Sequence, residues 1–324
     1  MTIDRDTMVC PICLKTTEKI KVEEWQEYTL FRCEQCDVVF SHPFVAGDAA
    51  WYVDSGNYEL VRFNKKLDWQ HEQFLSQPPK GKKLLDIGCN NGVFLHYAEK
   101  SGLEVTGLDF NNNSLEAGRR AFGLKKLYCS TLDDFANKYP DEKFDIVTFF
   151  EVLEHLDNPN EFIEKIKSVL KPLGHIALSV PNRDMTINPL GDEDYPPHHL
   201  TRWSKKSLNN ILNAHGFTVV SYVAKKVRPE DFAGWFDYHV IKKIDHRIRK
   251  RLKKAAGNAL EIKWQRGDIE AVPLVYKLRQ WEIKLLSLLF YPLAVFPMLT
   301  GSKGVQQYIL AKIEKSKSSI PDIA

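Results

Sequence analysis

The sequence carries almost no excess of one charge: 45 Lys and Arg stand against 42 Asp and Glu, a formal net charge of +3. A chain so nearly neutral is not a polyanion binder over its whole surface, although a local basic patch can still be one. It lacks an apolar core of signal-peptide length near Met1, an internal repeat and a low-complexity tract. It also lacks an uninterrupted apolar run of the roughly 20 residues that span a bilayer. These absences point to synthesis in a reducing cytoplasm, without export and without a transmembrane span. Hydrophobic residues at 44% and charged residues at 27% exclude disorder, collagen and disulfide scaffolds as overall classes. The 324 residues suffice for about two domains with a sizeable core.

Cysteine is scarce, and four of the six are clustered: Cys10-Pro-Ile-Cys13 and Cys33-Glu-Gln-Cys36. The pairs are separated by 33 − 13 − 1 = 19 residues. Two CxxC knuckles at that distance match a four-thiolate tetrahedral zinc ribbon, closed to other ligands and therefore structural. The ribbon, residues 1–46, holds eight acidic side chains against five basic ones, a poor balance for phosphate contact. Residues 47–80 read as a connecting segment that ends in the breaker QPPKGKK.

From residue 81 to 227, short apolar runs alternate with amphipathic segments. KLLDIG (83–88), EVTGLD (104–109), LYCS (127–130), DIVTFFE (145–151), HIALSVPN (175–182) and FTVVSYVAKKV (217–227) read as strands. VFLHYAEKSG, NSLEAGRRAFG, EFIEKIKSVLK and SKKSLNNILNAHG read as helices, the last with Ser204 as its N-cap. The alternation predicts an α/β fold, a Rossmann-like, doubly wound, mostly parallel sheet. Asp86-Ile-Gly88-Cys89-Asn-Asn-Gly92 closes the first strand. Its Gly-x-x-x-Gly spacing is not the dinucleotide fingerprint, and a carboxylate two residues before the first glycine suits a ligand with positive charge. Asp109 ends the second strand, placed to accept hydrogen bonds from ribose hydroxyls.

With GLDFN, FDIVTFFEVLEHL and LKPLGHIALSVPN following DIGCNNG in order, the chain resembles the class I S-adenosylmethionine-dependent methyltransferases. That family usually has glycine where this chain has Asn90. The resemblance implies S-adenosylmethionine as cofactor, bound by Asp86, Gly88, Cys89, Gly92, Asp109, Phe110, Thr131, Leu132 and Phe150. Glu151-Val-Leu-Glu154-His155 and the later His198-His199 pair resemble segments of the ubiquinone-type and small-RNA 2′-O-methyltransferases. Three readings stand there. Glu151, Glu154, His155 and His199 hold a divalent ion such as magnesium or manganese, as the resemblance implies, or His155 acts alone as a general base, or the segment is purely structural. His199 matches the second histidine better than His198 by its offset from Trp203.

Residues 228–324 are expected to form a helical, basic then apolar region. Ile241, Ile244, Ile248, Leu252, Ala255 and Ala259 mark one face of a helix whose other face is rich in Lys and Arg. LLSLLFYPLAVFPML (285–299) is uncharged but short and broken by two prolines. The combination predicts peripheral contact with an anionic cytoplasmic membrane face, or else a cap on the catalytic domain. The expected activity is O-methylation of a sugar hydroxyl on a glycan or lipid-linked saccharide. RNA and small-molecule O-methylation, and a non-catalytic binding module, are its alternatives.

Overall fold

The computed structural model describes residues 7–47, 66–187, 191, 194–236, 281, 284–292 and 303–314. The predicted amphipathic helix at 240–259 lies outside them, as do most of the connecting segment and residues 293–299 of the apolar run.

The N-terminal region forms β1 (Thr7–Val9), β2 (Thr16–Glu18), β3 (Ile20–Trp25), β4 (Tyr28–Arg32) and β5 (Val39–His42). Helix α1 (Trp69–Ser76) leads into alternating elements. These are β6 (Lys83–Ile87), α2 (Val93–Lys100), β7 (Glu104–Asp109), α3 (Asn112–Phe122), β8 (Leu127–Cys129), α4 (Leu132–Lys138) and β9 (Phe144–Phe150). A 3-10 turn (Leu153–His155), α5 (Pro159–Val169), β10 (Leu170–Pro181), β11 (Thr201–Arg202), α6 (Lys205–Ala214), β12 (Phe217–Lys226), α7 (Pro229–Phe236) and β13 (Lys303–Ile313) complete the described elements. Local chemistry sets the boundaries. Asn111 accepts the Ser114 amide at the start of α3, Gly123 ends that helix at φ 71, and Ser204 caps α6 together with Ser207.

The central sheet has seven strands in the order β12-β13-β10-β9-β6-β7-β8. The run from β10 to β8 is parallel, and β13 is antiparallel to both of its neighbours. The chain reverses direction of travel at β6, between β7 and β9, which opens a crevice at the carboxyl ends of those strands. Phe149, Ile146, Leu84, Leu85 and Ile176 are fully buried in this sheet. Each such side chain contributes about 1.5–3 kcal/mol by leaving water.

One expectation changes. The region from 228 onward is not wholly helical, because Lys303–Ile313 returns to the sheet and separates β10 from β12. The ribbon is built into the rest of the chain. Its four-stranded sheet, β11-β5-β4-β3, takes its edge strand from Thr201–Arg202, far along the chain. Ribbon side chains Ile12, Val38 and Phe40 share one apolar cluster with Leu153, Trp203 and Leu208 of the core.

Candidate functional site

The turn after β6 needs backbone that L-residues rarely adopt: Gly88, Asn90 and Gly92 have φ of 76°, 50° and 71°. A Cβ on Gly88 would lie 2.8 Å from Val152 and one on Gly92 2.6 Å from Leu124. Asn90 stands at a left-handed position, where asparagine is the best-tolerated substitute for glycine, so the turn survives the replacement. Cys89 packs inward, its Sγ donating to the Asn90 carbonyl at 3.8 Å. Its side chain is buried, and its Sγ would lie 2.7 Å from a Cβ placed on Gly107.

Two carboxylates flank the turn. Asp86 is buried and accepts a 2.6 Å hydrogen bond from Thr148. Burial pushes its carboxyl up to about 7, with the Asp109 charge adding to the shift. Asp109 accepts the backbone amides of Asn90 and Asn111, both at 2.8 Å, which clamps the glycine turn onto β7. Burial raises its pKa against those amide bonds. Phe110 is exposed just beyond it. Thr131 caps α4 through the Asp134 amide, and Leu132 and Phe150 are buried in the core.

Sequence reasoning missed Gly118. A Cβ there would meet the Asn91 carbonyl oxygen at 2.2 Å, so its absence lets α3 rest against the turn. A glycine inside an otherwise helical pattern was the available signal.

The other side of the crevice begins at Glu151, in the left-handed region at φ 54°. Ser179 of β10 donates to its Oε1 at 2.6 Å, and burial holds its carboxyl near 7, with Asp194 and Asp68 reinforcing the shift. Glu151, Asp68, Trp69, Asp194 and Lys225 line a cleft of about 320 Å³. Glu154 is fully buried, and neither carboxylate oxygen has a hydrogen-bond partner. Burial raises its pKa strongly, and Glu151 raises it further.

His155 Nδ1 lies 2.9 Å from the His198 carbonyl, which can only accept, so this bond is made by the tautomer with its proton on Nδ1, and the Glu151 backbone carbonyl also interacts with the ring. The ring's Nε2 is 4.0 Å from Glu154 Oε1. Burial lowers His155 to about 4 and His199 to about 2, so both rings are neutral. His155, His198 and His199 have nitrogens within 4.8 Å of one another, and His199 faces Asp194 at 3.5 Å. The structure therefore brings both histidines of the pair to His155, including His198, the weaker match in the sequence. Glu151 does not join them, because Ser179 holds it on the cleft side.

A second cluster sits in the ribbon. The sulfurs of Cys10 and Cys36, and of Cys13 and Cys33, are each 3.7 Å apart, and all six cysteines are free thiols. A tetrahedral zinc with bonds of about 2.3 Å has sulfur–sulfur edges of about 3.8 Å, so the four thiols fit zinc without rearrangement. Asp37, next to Cys36, bonds Ser204, Arg183 and Arg32. Burial pushes its carboxyl up, but those donors prevail and hold it at about 2.

The chain is similar to known proteins. A methyltransferase-domain profile matches residues 61–222, half of the chain. The ubiquinone biosynthesis O-methyltransferase of Actinobacillus pleuropneumoniae serotype 7 (strain AP76) is 32% identical over 144 residues, 42% of this chain and 62% of that protein. The chain thus spans about three fifths of that relative's length. The enzyme of the same name from Pasteurella multocida (strain Pm70) is 28% identical over 198 residues, 52% of this chain and 82% of that protein. Among solved structures, the [4+2]-cyclase SpnF superposes with a TM-score of 0.50 at 17% identity, covering 83% of this chain and 97% of that one.

Proposed function

The chain belongs to the methyltransferase-domain family, its central unit being an S-adenosylmethionine-dependent methyltransferase domain, and from that premise we propose that it methylates a hydroxyl of a polyhydroxylated acceptor, a sugar unit of a glycan or lipid-linked saccharide. The fold alone does not decide the reaction, since a cyclase shares it. The observation that supports the acceptor class is the cleft. Asp68, Glu151 and Asp194 offer carboxylate acceptors to hydroxyl donors, and Trp69 offers an aromatic wall to the apolar face of a sugar ring. The relatives named above as O-methyltransferases agree with oxygen as the methyl acceptor.

Bound S-adenosylmethionine supplies an activated, electrophilic methyl group. Asp86, Gly88 and Gly92 shape the pocket for its amino-acid end, and Asp109 keeps lone pairs for ribose hydroxyls beside its two amide bonds. Cys89 contributes its backbone, while Phe110 and the Thr131–Leu132 backbone border the adenine and Phe150 supports the floor. His155 does not itself line the cleft; an acceptor hydroxyl that reaches its Nε2 lone pair would give up its proton there. The Cys10, Cys13, Cys33 and Cys36 cluster holds structural zinc.

The three imidazoles and the unpartnered Glu154 carboxylate support a second reading, a divalent ion at His155, His198 and His199. An imidazole-rich donor set suits zinc, cobalt, nickel or iron, and magnesium and manganese have no support in it. Contact with an anionic membrane surface belongs to the same proposal. It is supported by the exposure of Leu285, Leu288, Leu289 and Tyr291 on the helical residues 284–292. Among the described residues, no helix is long and apolar enough to cross a membrane.

Labelled methyl transfer from S-adenosylmethionine to a panel of glycans, phenols and RNA tests the acceptor. Label on a phenol or RNA, and none on a saccharide, defeats the sugar reading. Chelation that leaves one ribbon zinc per chain, counted by metal analysis, separates the two mechanisms: loss of turnover restored by zinc or cobalt favours the ion, and unchanged turnover favours His155 alone.

A further inference from the structure

The ribbon touches the rest of the chain at a telling place. Nothing in a four-thiolate knuckle requires it to dock near chemistry, yet beside its bonds to Asn160 of α5 and Asn210 of α6 the ribbon makes a concentrated set of contacts with residues 194–204, the loop that presents His198 and His199. Three independent ties do this. In the first, the Ser41 amide of β5 donates to the Leu200 carbonyl at 2.9 Å, and the Leu200 amide donates to the Glu154 carbonyl at 2.8 Å. One residue thus links the ribbon sheet directly to the turn that carries His155. The β5–β11 pairing, Phe40 opposite Thr201 and Val39 opposite Arg202, extends the same link.

In the second, Asp37 follows Cys36 at a positive φ of 67°, a conformation that the closed knuckle sets. Its carboxylate accepts Ser204 Oγ at 2.6 Å and Arg183 Nη2 at 2.7 Å, and its carbonyl accepts Arg183 Nη1. Ser204 is where the loop ends and α6 begins. In the third, Glu23 of β3 takes Tyr195 OH on one oxygen at 2.8 Å and Arg202 Nη1 on the other at 2.9 Å. Trp25 stacks on the Tyr195 ring at 4.1 Å, and the Arg202 guanidinium covers that ring at 4.5 Å. The loop is therefore held at its start, middle and end by side chains and backbone of the ribbon.

We propose that the four-cysteine ribbon is a positioning element for His155, holding the loop whose His198 carbonyl fixes the orientation and tautomer of that imidazole. A carbonyl displaced by even 1 Å from Nδ1 no longer favours the proton there, and the lone pair on Nε2 is no longer guaranteed. None of these three ties reaches the cofactor side, which, among the described residues, meets the ribbon only through the apolar cluster that Ile12, Val38 and Phe40 share with Leu85, Leu108 and Leu132. The inference rests on the proposed function only in treating His155 as the residue that matters for transfer; the coupling itself can be read without any acceptor.

The test uses the full chain labelled with 15N-histidine and long-range 1H–15N spectra, His155 being assigned by the loss of its signals in His155→Gln. Zinc-loaded protein should show His155 with the proton on Nδ1 alone. In Cys33→Ser, which breaks the knuckle, His155 should average between the two tautomers. Glu23→Gln keeps the thiols and the ribbon fold but weakens one tie, and should move the same signals in the same direction by less. S-adenosylhomocysteine affinity, measured by calorimetry, should stay within about twofold in both variants. An unchanged His155 spectrum in both variants overturns the proposal, as does a loss of cofactor affinity that parallels the tautomer change, since the ribbon would then support the whole fold. Failure of the wild type to bind S-adenosylhomocysteine would instead count against the proposed function, leaving the tautomer result to judge the coupling.

Discussion

The cofactor side of the crevice is made of residues close in sequence, Asp86 to Gly92 on one turn and Asp109 two elements later, joined by the strand ladder between β6 and β7 and by the Asn90 amide donating to the Asp109 carboxylate. The acceptor side draws Glu151–His155, residues 194–204, Asp68 and the ribbon from across the chain. The first depends on dihedral angles that a few residues dictate. The second depends on long-range contacts, each worth little alone and jointly placing one imidazole. A fold can therefore keep one half constant while the other is remodelled by what packs outside it, which is how a shared methyltransferase core serves many acceptors.

The largest effect should come from the acceptor side. His155→Ala should lower methyl transfer by about 100–10,000-fold as a lost general base, with cofactor affinity unchanged. Turnover and calorimetry on the same preparation check it, and a parallel loss of cofactor binding would break the division into halves.

Gly118→Ala tests the other half. The added Cβ, 2.2 Å from the Asn91 carbonyl, should destabilise the domain by about 1–3 kcal/mol in urea unfolding and weaken cofactor binding by disturbing the turn. Wild-type stability would show that α3 can retreat without consequence. Asp109→Ala should weaken S-adenosylmethionine by about 1–3 kcal/mol, through lost ribose bonds and an unclamped turn. An unaltered titration would remove Asp109 from the site.

The smallest effect concerns pH. Burial holds Asp86 at about 7 in the folded protein, above the value near 4 of an unfolded chain. The folded state thus keeps a proton that the unfolded state has released. Stability from this group therefore falls as pH rises between those values. Binding of a cation favours the ionised carboxylate, so S-adenosylmethionine affinity should rise as pH passes upward through about 7. Asp86→Asn should flatten that profile, and a flat wild-type profile would falsify the assignment of Asp86 to the cation.

Much of the core was legible in the sequence. Six strands and their helices appear within a few residues of the expected positions, because each carries its own period and its own cap or glycine stop. β13 was not legible. Its centre, Tyr308–Ala311, is buried on both faces and so lacks the alternation that marks a half-exposed strand. Its partners β10 and β12 lie more distant in sequence than any local pattern reaches. The exclusion of Glu151 from the histidine cluster was equally hidden, since it depends on Ser179 of the neighbouring strand.

The sequence by itself determined the parallel α/β alternation, the left-handed turn at Gly88, Asn90 and Gly92, and the two thiolate knuckles. Each follows from the conformational and chemical limits of residues close along the chain. Only the tertiary structure decided that His198 turns its carbonyl to His155 and that Gly118 must lack a side chain. It alone completed the ribbon sheet with a strand from beside the loop that carries His198 and His199. These depend on which surfaces remain to be buried once the local elements exist, and packing between distant segments leaves no period in the sequence.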